Sequence, residues 1–78
     1  MSREETNEIR YTIALIAVFA KKFNLEQRQA YNYLKRFKGL SYLKNFYDVL
    51  HTLSFEEAVH DISVICNRNG GKLLYQGL

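Results

Sequence analysis

The residue types best able to do chemistry gather at positions 47–52, which read Tyr-Asp-Val-Leu-His-Thr. On a helix Tyr47 and His51 are four residues apart, and Asp48 and His51 three, so each pair shares a face. An imidazole oriented by a carboxylate and set beside a phenol is equipped to move protons. The same residues also suit a helix end. A histidine in the last turn bonds the final carbonyls and complements the negative pole of the helix dipole, and Thr52 then opens a turn toward Ser54. Capping is the expected role; acid–base work is the alternative.

The other reactive side chains are scattered. Cys66 lies on an apolar stripe with no basic residue in register to lower its pKa, so it reads as a buried, inert thiol rather than a nucleophile or redox sensor. His60, one turn after Glu56, reads as a solvated helix-face residue. No pair among Asp48, His51, Glu56 and His60 has a recognised ligand spacing, and one thiol with two histidines makes a poor zinc set. Gly70 and Gly71 follow a helical stretch instead of preceding one, so they mark a stop and not a phosphate-binding loop. The expectation is therefore no catalytic residue, no metal, no cofactor and no enzymatic activity.

Charge is laid out in blocks. The net charge of +3 is made up of an acidic start (Arg3 against Glu4, Glu5 and Glu8), a basic middle, an acidic third quarter and the three further cations Arg10, Arg68 and Lys72. The middle holds Lys21, Lys22, Arg28, Lys35, Arg36, Lys38 and Lys44 against Glu26 alone, and the third quarter holds Asp48, Glu56, Glu57 and Asp61. Such a dipolar chain suits an acidic partner or self-association. Tyr31, Tyr33, Tyr42 and Tyr47 interleave with the basic block, and two helices around Gly39 make a helix–turn–helix-like succession. The match in detail is poor. Lys35 stands where a small packed residue belongs, and Asn45 where an apolar one does. Nucleic-acid contact through Lys35, Arg36, Lys38 and Lys44 is the weaker alternative.

The elements that must position these residues are helices. Proline is absent and glycine occurs only at 39, 70, 71 and 77. Helix one is predicted over about 3–23, capped by Ser2, with Ile9, Ile13, Ile16, Ala17, Ala20 and Phe23 as its inward face at three- and four-residue steps. Leu15, Val18 and Phe19 fall off that face. Asn24 is the expected cap of helix two, with Gln27 at the box position. Leu25, Ala30, Tyr31, Leu34 and Phe37 face inward, and Gly39 ends the helix in a left-handed conformation. Helix three spans about 41–51, with Leu43, Phe46, Tyr47 and Leu50 on one side and Tyr42 and Val49 flanking. Ser54 and Glu57 form a capping box for helix four, which runs to about residue 69. Its stripe is Phe55, Val59, Ile62 and Cys66, supported by Ala58 and Ile65. The prediction is an all-α, compact four-helix bundle over residues 1–71 with an apolar tail at 72–78.

Residues 13–20 form an unbroken apolar run, yet as helix they reach about 12 Å against the ~30 Å of a bilayer core. A core helix, and no membrane span, is the expectation. With one cysteine no intrachain disulfide forms, and the polar, acidic first eight residues are unlike an export signal, so a reducing, cytoplasmic setting is expected. A 78-residue chain buries only roughly 60–65% of its unfolded surface, which leaves little margin for stability.

Three stretches together resemble one family of short bacterial proteins. These are Gly39-Leu40-Ser41-Tyr42-Leu43, then Phe46-Tyr47-Asp48 with Leu50-His51-Thr52 and Ser54, then Cys66-Asn67-Arg68-Asn69-Gly70-Gly71. The family is catalogued as domain of unknown function three-seven-nine-one. The resemblance covers roughly residues 9–71, and the Tyr-Asp-x-x-His-Thr run is its most specific part. It implies an all-α fold with no established activity and no functional residues to carry over. It also implies members encoded beside ADP-ribosyltransferase-like proteins, an arrangement similar to a toxin and its small partner. Acidic residues often stand in that family where this chain has Ser41 and His60, so any partner contact made by those acids is in doubt here.

The functional expectation is a non-enzymatic interaction module that binds a protein partner or a second copy of itself. Leu15, Val18 and Phe19, with Leu73, Leu74 and Tyr75 of the tail, are its expected contact residues. They are chosen because a first helix apolar nearly all round is hard to enclose in so small a domain.

Overall fold

The computed structural model describes residues 3–71, with burial and side-chain contacts over 7–71. The described chain is all-α: α1 (Arg3–Lys22), α2 (Gln27–Arg36), α3 (Gly39–Asn45), α4 (Tyr47–Leu50) and α5 (Phe55–Arg68). The expected four-helix bundle is present in outline, with the expected third helix split in two at Phe46. The 72–78 tail, including Leu73, Leu74 and Tyr75, lies outside the described residues.

Three turns show how the chain reverses with so little glycine. Asn24, expected to cap α2, instead closes α1. It takes a left-handed conformation (φ 56°), and Leu25 N–H reaches back to the Ala20 carbonyl at 2.8 Å, a Schellman-type ending that asparagine tolerates. The cap of α2 passes to Glu26, which forms a capping box with Gln29. Lys38, and not Gly39, takes the left-handed position after α2 (φ 68°). Gly39 opens α3 and is buried. Ser54 and Glu57 form the predicted capping box of α5, and Gly70 (φ 92°) ends that helix as expected.

α1 packs against both α2 and α5, and α3 against α2 and α5. The core is Leu15, Ile16, Phe19, Ala20 and Phe23 of α1 with Ala30, Leu34, Leu43, Leu50, Ala58, Val59, Ile62 and Cys66. Two neighbours on different flanks move the buried centre of α1 away from the expected ladder. Leu15 and Phe19, expected at a contact with another chain, are fully enclosed, and Val18 is half-buried against the core. Ile9 and Ile13, expected inside, are 47% and 54% exposed, and Ala17 is exposed as well. Tyr31, Phe46 and Phe55 likewise lie nearer the surface than expected.

α2 lies across the C-terminal half of α1. Tyr33 stacks on Phe19 with 5.8 Å between ring centroids, and its hydroxyl donates to the Gly71 carbonyl beyond α5. The N-terminal half of α1 meets the other end of the bundle, where the Tyr11 hydroxyl donates to the Leu50 carbonyl at 3.0 Å.

Candidate functional site

His51 sits at the end of α4 with its ring exposed. Its Nδ1 lies 2.8 Å from the Tyr47 carbonyl, and the ring stacks on Tyr47 with centroids 4.8 Å apart. That bond requires the proton on Nδ1. Thr52 Oγ1 donates to the Val49 carbonyl at 2.6 Å, so the two side chains add a second bond to last-turn carbonyls that already accept the His51 and Thr52 backbone N–H groups. Asp48 makes no hydrogen bond to the ring, so the carboxylate-oriented imidazole that the spacing allows is not formed. Around Tyr47 an aromatic group closes this end of the bundle. Tyr11 meets Tyr47 edge-on at 5.5 Å and stacks on Phe55 at 5.4 Å. Burial, then the neighbouring Tyr47, pushes the Tyr11 phenol pKa up.

Cys66 is fully buried, and burial pushes its thiol up to about 11, although the Gly39 backbone N–H draws it partly back. At neutral pH it is the protonated, unreactive form. Among the described residues no three His, Cys, Asp or Glu side chains converge as metal ligands would. No helix among them is long and apolar enough to cross a membrane.

A groove of about 850 Å³ lies between α1, α2 and α3. Ile9, Ile13 and Ile16 of α1, Tyr31 of α2, and Leu40 and Leu43 of α3 make it apolar. Glu8 stands on its α1 wall, and Arg28 and Lys44 on the opposite wall. None of these three charges is paired with an opposite charge among the described residues. Exposed apolar patches of this kind occur at protein, membrane and ligand contacts.

Of the basic residues named for nucleic acid, Lys35, Arg36, Lys38 and Lys44 are all exposed. Arg36 lies 5.3 Å over the Phe37 ring, and Lys44 belongs to the groove wall. The expected contact residues of helix one do not line the groove. The sequence places Ile9, Ile13 and Tyr31 on inward faces and gives Leu40 no contact role, so none of the four is expected at such a surface. A signal was there: α1 has 20 residues and α2 only 10. At ~1.5 Å per residue a ladder running the length of α1 outreaches its neighbour.

No curated protein and no solved structure matches the chain. Residues 10–69 match the model of the family described as Protein of unknown function (DUF3791), and the chain belongs to that family.

Proposed function

We propose that this protein is a non-enzymatic interaction module of the cytoplasm that holds a protein segment in the α1–α2–α3 groove. The observation that carries the reading is the pairing of Ile9 and Ile13, each about half exposed, with Tyr31 and Leu40 across one open depression. Apolar helices lie in such grooves through anchors three and four residues apart. The segment belongs to another protein or to a second copy of this chain; for another protein, the family resemblance suggests an ADP-ribosyltransferase-like neighbour, with the present chain as the small member of a toxin–antitoxin-like pair.

Calorimetric titration of the purified chain with the protein encoded beside it tests the reading. Binding is expected with the native chain and is lost with Ile13→Asp, a change at an exposed position that leaves the helical circular dichroism intact. Binding that ignores Ile13→Asp overturns it, and so does a chain that binds neither the neighbouring protein nor a second copy of itself.

The second reading is nucleic-acid binding, favoured by the common exposure of Lys35, Arg36, Lys38 and Lys44. Phosphate contacts through them must weaken steeply with salt. A titration against DNA and RNA at two salt concentrations separates the readings, and absence of salt-sensitive binding removes this one.

A further inference from the structure

We infer that the groove's occupant is a second copy of this chain, seated by antiparallel pairing of the two α1 helices through Ile9 and Ile13, with each copy's Glu8 against the other's Arg28 and Lys44. The inference rests on the groove being an interaction surface and names what enters it.

The first support is the pattern of α1. Ile9, Ile13, Ile16, Ala20 and Phe23 recur at alternating four- and three-residue steps, the spacing of a helix-pairing seam. The C-terminal part of that seam is used within one copy, since Ile16, Ala20 and Phe23 are buried in the core. The N-terminal part runs on as Ile9 and Ile13, about half exposed beside the groove. A seam of this kind is completed by another helix carrying the same spacing, and the α1 of a second copy carries it.

The second support is charge. Two-fold pairing needs a patch complementary to itself, because every contact from one copy to the other is also made in return. The groove meets that condition. Its α1 wall is acidic at Glu8, in a segment whose sequence also holds Glu4 and Glu5, and its α2–α3 wall is basic at Arg28 and Lys44. None of Glu8, Arg28 and Lys44 is paired with an opposite charge among the described residues. Setting the α1 of one copy into the groove of the other brings unlike charges together at both ends. A purely acidic foreign helix would answer the basic wall and leave Glu8 facing a like charge. The patch is small, so the pairing is a concentration-dependent one.

Sedimentation equilibrium of the full chain over a wide concentration range reads the pairing directly. The mass is expected to climb toward that of two copies, and Ile13→Asp is expected to hold it at one copy with unchanged helical circular dichroism. Glu8→Lys is expected to weaken association roughly three- to ten-fold, as loss of a rim charge does. Mixing Glu8→Lys with the double variant Arg28→Glu/Lys44→Glu is expected to restore pairing between the two variants. A native chain that stays at one copy up to millimolar concentration overturns the inference, and so does a failure of the mixed variants to pair. A monomer that still takes up the neighbouring protein in an Ile13-dependent manner overturns self-pairing alone. A chain whose association with anything ignores Ile13→Asp overturns the groove as well.

Discussion

Gly39 lies so close against Cys66 that a Cβ placed on it would stand 2.8 Å from the Sγ atom, nearer than real Cβ contacts come. The same Cβ would stand 2.7 Å from Leu34 Cδ2 and 3.2 Å from Ile62 Cγ2. This glycine therefore serves close approach and not a left-handed turn, because Lys38 before it takes the positive φ. Through that contact the start of α3 is seated on α2 and α5 together, which positions Leu40, Leu43 and Lys44 for the groove.

Gly39→Ala should lower stability by about 1–3 kcal/mol, the usual cost of forcing a methyl group into a packed site. In a chain of this size that is a fall of roughly 5–20 °C in Tm. Cys66→Ala should recover part of the loss when combined with it, and less than all, since Leu34 and Ile62 also crowd the position. Urea unfolding of the four-member cycle measures the coupling. Strictly additive effects would show that the Gly39–Cys66 contact is not the source of the strain.

Alkaline pH should destabilise the protein. Burial raises Cys66 from 9.0 to about 11 and Tyr33 from 10.0 to about 12. Each group then ionises in the unfolded chain before it does in the folded one, so the folded state holds its proton more tightly. The stabilisation is complete below about pH 9 and is lost progressively as pH rises toward 12. Tm followed from neutral pH upward should begin to fall near pH 9, and in Cys66→Ala the onset should move up toward Tyr33's ordinary value of 10.0. Iodoacetamide near neutral pH should leave the native thiol unlabelled and label it fully in urea. Rapid native labelling would show that the thiol is open to solvent.

What was legible in the sequence were the features decided by a few neighbouring residues. Ser54 and Glu57 announce α5 because a capping box needs only those two side chains and the first turn of backbone. Gly70 announces its end for the same reason. The start of α2 was not legible, since Asn24 with Gln27 and Glu26 with Gln29 offer competing boxes, and the left-handed tolerance of asparagine gave Asn24 to the end of α1. The inward face of α1 was misassigned because a helix apolar on nearly every side has no single face of its own. Its neighbours choose one, and with α2 and α5 packed on it they chose Leu15 and Phe19 over Ile9 and Ile13. The groove inherits that misassignment. It exists only because α2 lies over one half of α1, and nothing in the spacing of apolar residues states where two helices cross.

The Tyr11–Leu50 hydrogen bond was beyond sequence reasoning for a similar reason, as it joins residues 39 positions apart. It also offers the cleanest test of how this end of the bundle is held. The Leu50 carbonyl accepts from the Tyr11 hydroxyl and from Leu53 N–H, each at 3.0 Å, at the point where α4 gives way to the turn before Ser54. Tyr11→Phe keeps the ring against Tyr47 and Phe55 and removes only the hydroxyl, so it should cost about 0.5–1.5 kcal/mol. Tyr11→Ala removes the ring as well and should cost more, about 2–4 kcal/mol, through lost burial and aromatic contact. If the hydroxyl ties α1 to α4, amide hydrogen exchange in Tyr11→Phe should quicken locally at residues 50–53 while α2 stays as protected as the overall stability allows. Uniform quickening would assign the bond to general stability, and native-like stability in Tyr11→Phe would show that packing of the ring alone holds the two helices together.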